Sequence, residues 1–172
     1  NIPVYVCLYR PRGIERDRAR TAYHMSRGAE GMYLFNWLRS PDKEKPSLQE
    51  LGDMNIIADK DKHYVMSGPF KTLGFRHILP EHRVPVRLEH GEWRSAKLLV
   101  GDDLKTARAT GKLVETTLHL KLGNLTPNKD RLKVKLNGTP LNDPKWDESN
   151  VSFNVSSVPL ALHENSVVVY LE

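Results

Sequence analysis

Cysteine is nearly absent from this chain: Cys7 is the one thiol in 172 residues. A single cysteine excludes an intramolecular disulfide and any metal site built from several thiolates. Cys7 lies in an apolar run with no His or Lys beside it to lower its pKa, so a buried, unreactive thiol is expected. Long hydrophobic runs are missing too. None approaches the roughly 20 residues that cross a bilayer, and no membrane partner is expected. The first residues show neither a basic stretch nor an apolar one ending in a small-residue cleavage site. No GxSxG turn, Walker A loop or dinucleotide-binding glycine pattern occurs, so nothing implies a cofactor. Internal repeats and low-complexity segments are absent as well.

What the chain does contain is enough apolar material for a core, 39% of residues, with 27% charged. Lys and Arg number 26 against 21 acids, a net charge of +5 that admits an acidic polymer as partner. The signs are interleaved, as in Asp42-Lys-Glu-Lys45 and Asp59-Lys-Asp-Lys62, which is the pattern of solvated surface rather than of a nucleic-acid footprint. One asymmetry stands out: every Lys or Arg before Lys43 is an Arg, Arg10, Arg12, Arg16, Arg18 and Arg20 among them.

The chain opens on strand, helix and strand. Ile2 to Tyr9 and Gly31 to Trp37 are continuous apolar runs, the pattern of strands buried on both faces. Between them Glu15 to Arg27 is charged, free of Gly and Pro, and carries Ala19, Ala22, Tyr23 and Ser26 at helical spacing. That is a βαβ unit, and a parallel pair needs further strands beside it to bury both faces. Residues ahead of Asn1 are the expected source of those strands. After the polar connection Ser40 to Pro46, Ser47 stands three residues before Glu50 as a capping box, which predicts a helix from about Ser47 to Ala58.

From Asp59 to Pro85 the chain is irregular, with a short strand expected at Tyr64 to Met66. Alternation then takes over. Val114, Thr116, Leu118, Leu120 and Leu122 point one way, as do Leu132, Val134 and Leu136. Asn137-Gly138 supplies a type I′ turn into Thr139 to Leu141. Val151, Phe153 and Val155 form another strand, and Ser166 to Leu171 a last one. Asp102 to Gly111 breaks the pattern as a short helix, with Asp102 or Asp103 as its cap. The fold class is α+β: an incomplete β/α unit over 1–58, then an antiparallel β-sandwich over 59–172. Trp93, Trp146, Phe153 and Tyr170 are dispersed along the second region, and most are expected in its core.

Gly28-Ala-Glu-Gly-Met-Tyr-Leu-Phe-Asn-Trp37, preceded by an Arg-rich helix and the strand Val4 to Tyr9, resembles the last two strands of a bacterial glycoside-hydrolase-like (β/α)8 barrel. Val100-Gly-Asp-Asp103, Leu132 to Gly138 and Glu164 to Val169 resemble the β-sandwich that commonly follows such a barrel. The resemblance implies an exported bacterial protein with a carbohydrate site at the carboxyl ends of the strands. Tyr9, Arg10 and Arg12 after the first strand, and Asn36 and Trp37 after the second, would face it. A Trp ring can stack on a sugar and Asn or Arg can bind its hydroxyls; equally, Trp37 can cap the core and the arginines can be solvated. The resemblance further implies that the missing barrel portion is the partner of this chain.

Glycoside hydrolysis needs two carboxyl groups flanking the bond. The first strand ends Leu8-Tyr9-Arg10-Pro11-Arg12, with no acid before Glu15, so no catalytic residue is assigned and this chain alone is not expected to hydrolyse anything. His77, His82 and His90 lack the helical spacing of a zinc site, and Asp102-Asp103 lacks the spacing of a calcium loop, so no metal ligand is assigned. Asn124, Asn137, Asn150 and Asn154 head Asn-x-Ser/Thr triplets, a pattern common by chance. Two functions remain: part of a carbohydrate-active protein, or a non-enzymatic module that binds an acidic polymer or protein. Salt separates them, because polyanion binding collapses in salt and neutral-sugar stacking does not. Exposed edges at Val4 to Tyr9 and Tyr33 to Trp37 also predict self-association.

Overall fold

A computed structural model describes residues 2–37, 41–66, 85–113, 115–125 and 130–172, with the backbone alone for 41–44. The architecture is α+β, with mostly antiparallel sheets and few helices. The chain divides into two compact units. The first comprises Asn1–Val65 and takes back Leu99–Asp103; the second comprises Met66–Leu98 and Leu104–Glu172.

In the first unit, β1 (Tyr5–Tyr9) and β2 (Gly31–Phe35) pair in parallel, with Tyr5 opposite Gly31 and Tyr9 opposite Phe35. The crossover is α1 (Ile14–Ser26), whose first turn carries Glu15 and Asp17, acids that suit the positive end of a helix. Ala19 and Ala22 are its buried apolar positions. Strand alternation sends Leu8, Met32 and Leu34 to one face, where they pack with Trp37 and Leu51. The other face carries Tyr5, Cys7, Tyr33 and Phe35, all exposed. This corrects the expectation of a strand buried on both faces and of a buried thiol: one face of the parallel pair is covered, and Cys7 belongs to the other.

The predicted single helix from Ser47 to Ala58 is two. The first, α2 (Pro41–Glu50), starts six residues early, with Pro41 at its first position, where a preset φ and a missing N–H cost nothing. Pro46 lies inside it, and Ser47 is buried in its interior instead of capping it. The chain breaks at Gly52 and restarts as α3 (Met54–Ile57), where Asp53 is the cap and accepts from Asn55 N at 2.8 Å.

Hydrogen-bonded clamps hold this unit where apolar cover is thin. Asp17 is fully buried and accepts from the Arg12 amide at 3.0 and 3.2 Å and from Arg20 at 3.1 Å. Burial pushes its pKa above the ordinary carboxylate value against the pull of those donors. Glu50 takes Arg18 in a two-point contact at 2.8 and 3.3 Å and Lys60 at 2.7 Å. The hydrogen bond from Arg18 leads the interactions that hold its pKa below the usual range. Residues 64–66 are not a strand. Tyr64 instead donates to Asp102 at 2.9 Å, and Lys62 pairs with the same carboxylate at 3.2 Å. Burial and that carboxylate both push the Tyr64 pKa up. Asp102 is thereby spent on a clamp. Gly101 lies so close to α1 that a Cβ would overlap the backbone of Ala22 and Tyr23.

The second unit has two sheets. One has the order β3 (Trp93–Val100), β9 (His163–Leu171), β5 (Leu132–Leu136), β6 (Thr139–Leu141). The other has the order β4 (Thr117–Lys121), β8 (Asn150–Asn154), β7 (Lys145–Asp147). Leu118, Leu120, Val151 and Phe153 from one sheet share a buried cluster with Val134, Leu136 and Val167 from the other, an arrangement compatible with a β-sandwich. The alternation of β4 holds as expected, with Leu118 and Leu120 buried and Thr117, His119 and Lys121 exposed. Val114 lies outside the described residues.

Asn137 and Gly138 have φ of 50° and 82° and join β5 to β6 as the predicted two-residue turn. The Asn137 side chain then donates to Asn165 at 2.8 Å and accepts from Ser166 N at 2.8 Å, tying the turn to β9. The short helix α4 (Leu104–Ala109) follows the 99–103 segment and stops before Gly111, at φ 72°. Phe153 is in the core and Trp146 packs partly against it. Trp93 departs from expectation: it is 44% exposed and lies against Tyr170, with ring centroids 4.8 Å apart.

Candidate functional site

The carboxyl ends of β1 and β2 stand side by side, and the register continues one step beyond the strands: the Arg10 amide donates to Phe35 O at 2.9 Å. The residues that follow the paired ends, Arg10 and Asn36, both have left-handed backbones, with φ of 64° and 59°. Asn adopts this region readily and Arg does so at a cost of about 1 kcal/mol or more. Two adjacent non-glycine residues in this conformation turn the chain sharply at one edge of the sheet. Strain of this kind collects at functional sites.

The edge carries an aromatic pair. Tyr9 and Phe35 are opposite in register and stacked, with centroids 5.5 Å apart. The Arg10 guanidinium lies 5.2 Å from the centroid of Tyr9. Phe35 is 42% exposed. Its sequence signal is its parity with Tyr33, which places it on the face shared with Tyr9; sequence reasoning named Tyr9 and passed over Phe35.

The five residues nominated from sequence therefore divide. Tyr9, Arg10 and Asn36 share the edge. Arg12 is exposed, but its amide is committed to Asp17, and Arg20 spans the same turn, donating to Arg10 O at 3.3 Å and to Asp17. Trp37 turns away from the edge. It is 2% exposed and packs with Leu8 and Leu51, and its indole N–H donates to Leu8 O at 2.7 Å. The ring covers the core of the parallel pair, and Tyr9 with Phe35 supplies the aromatic surface at the edge.

Two acids of this unit are engaged, Asp17 beneath Arg12 and Arg20 and Glu50 between Arg18 and Lys60. Among the described residues no group of three or more His, Cys, Asp or Glu is arranged to hold a metal ion. His90 forms a bridge with Leu171; His77 and His82 lie outside the described residues. Among the described residues no helix is long and apolar enough to cross a membrane. The edge thus brings together two stacked rings, the Arg10 guanidinium over one of them, and Asn36 beside Arg10. No known protein-family model matches the chain, and no curated protein matches it.

Proposed function

We propose that the chain is the C-terminal part of a glycoside-hydrolase-like (β/α) barrel protein with its following β-sandwich, related to carbohydrate and unable to hydrolyse it alone. The observation that carries this reading is the edge formed by Arg10 and Asn36, side by side past the carboxyl ends of two parallel strands. That is the face where barrel enzymes place their chemistry. Tyr9 and Phe35 stack beneath a sugar ring, and Arg10 and Asn36 bind its hydroxyls. The uncovered face with Tyr5, Cys7 and Tyr33 supports the same reading, because a parallel pair is ordinarily covered on both sides. The missing barrel strands are its partner. Asp17 and Glu50 are each held by basic partners, which supports a chain that does not supply the carboxyl pair hydrolysis requires.

Isothermal titration with neutral oligosaccharides such as cellohexaose and xylohexaose tests the reading. Binding is expected to change little with salt, and Arg10→Ala and Asn36→Ala are each expected to weaken it about tenfold. A chain that binds no neutral sugar, or binds one regardless of both substitutions, overturns the proposal.

A further inference from the structure

We infer that the outer face of the four-stranded sheet in the second unit is a second saccharide site, shaped for a polysaccharide that carries scattered anionic groups. The inference rests on the carbohydrate reading above and deepens it at a different place in the chain.

Trp93 from β3 and Tyr170 from β9, distant in sequence, come together there. The Lys135 ammonium lies 4.6 Å from the centroid of the Trp93 ring, and Lys133 lies 5.4 Å from that of Tyr170. Alternation explains the grouping: Lys133 and Lys135 point away from the core that holds Leu132, Val134 and Leu136, and Tyr170 is the register partner of Lys133. Further along the same sheet, Ser95, Lys97, Asn137, Glu164 and Ser166 line an open hollow of about 270 Å³. Trp93 to Lys97 spans about 13 Å at the usual rise of a strand, longer than one sugar ring.

The chemistry is that of a glycan. Exposed ring surface meets the C–H face of a sugar, and serine hydroxyls and a Lys–Glu pair meet its hydroxyls. The charges select further. Lys133 is paired with Glu172 and Lys97 with Glu164, each at 3.1 Å. Lys135 has no carboxylate partner among the described residues and is available to meet an anion. The two acids on this face repel the dense phosphate charge of a nucleic acid, whereas a chain with an acidic group on some rings can place it at Lys135 and its hydroxyls beside Glu164.

The test is titration of the full chain with oligogalacturonate, with xylohexaose and with oligo-dT as comparisons, on the unsubstituted protein and on Trp93→Ala, Lys135→Gln and Arg10→Ala. Oligogalacturonate is expected to bind more tightly than xylohexaose and to lose that advantage in high salt. Trp93→Ala should weaken it about tenfold, and Lys135→Gln about threefold with a shallower salt dependence. Arg10→Ala should reduce neutral-sugar binding, and the losses caused by Trp93→Ala and Lys135→Gln should persist in that background, which separates the two sites. Lys135→Gln is a surface change and remains informative if Trp93→Ala misfolds. The inference fails if both sheet variants bind as tightly as the parent, if only Arg10→Ala matters, or if oligo-dT binds as well as oligogalacturonate.

Discussion

The two units solve the same problem with different means. The second buries a broad apolar cluster, contributed by alternate residues of both sheets, and polar groups enter it mainly at the Asn137–Asn165 tie. The first has a small core of Leu8, Trp37 and Leu51 and leaves the other face of its sheet bare. In place of apolar cover it uses directed contacts: Asp17 under Arg12 and Arg20, Glu50 between Arg18 and Lys60, and Asp102 between Tyr64 and Lys62. Apolar burial is indifferent to pH and non-directional, whereas hydrogen-bonded and ion-pair contacts depend on protonation and on alignment. The first unit is therefore expected to be the more sensitive to conditions and to single-atom changes.

The largest effect is expected in the second unit. Phe153→Ala, at a site 2% exposed, should cost about 3–5 kcal/mol of that unit's stability by chemical denaturation. In the first unit, Gly101→Ala adds one methyl group against the backbone of α1 and should cost about 3 kcal/mol, an effect of comparable size from a far smaller change. A merely additive loss of a few tenths would show that the 99–103 segment does not lock onto that helix. Trp37→Phe keeps most of the ring and removes the donor to Leu8 O, so a loss of about 1–2 kcal/mol is expected, read from the melting temperature.

The pH response sharpens the comparison. Glu50, with its pKa lowered in the fold, stabilises fully above its ordinary value, and that contribution disappears as pH falls through the lowered one. Asp17, with its pKa raised, acts in reverse: its contribution is fully present below its ordinary value and is lost as pH rises through the raised one. The two oppose each other in mild acid. Asp17→Asn removes the falling term, so the first unit's stability should climb more steeply with pH than the parent's when melting is followed from about pH 3 to 6. An unchanged slope would mean that Asp17 is not held in the way the fold implies. The smallest effect is a gain. Arg10→Gly relieves a left-handed arginine and should stabilise by about 0.5–1 kcal/mol while weakening sugar binding, the trade expected of strain kept for function.

Much of the second unit was legible in sequence because a strand with one covered face writes its geometry as alternation. Leu118 and Leu120, the Val151–Phe153–Val155 series and the Asn137-Gly138 turn all follow from local rules. The first unit was legible as strand, helix and strand, but its burial was not. Apolar composition on both sides of β1 does not say which face is covered, and Cys7 lies on the exposed one. Helix ends failed where competing signals met: the Ser47–Glu50 spacing is a valid capping box, yet Pro41 starts the helix and Asp53 caps the next. The candidate edge was half visible. Arg10 and Asn36 were named from their position after strands, while their shared left-handed backbone and the turning inward of Trp37 are properties of the folded chain. The contact between Trp93 and Tyr170 depends on strand order, which no local pattern encodes.

The most direct test of the carbohydrate reading is a residue-resolved NMR titration of the isotope-labelled full chain with xylohexaose. The account predicts amide shifts concentrated at Tyr9, Arg10, Phe35 and Asn36, with the core amides of Val151 and Phe153 unmoved. No saturable shift at that edge, or shifts scattered without regard to it, would contradict the account.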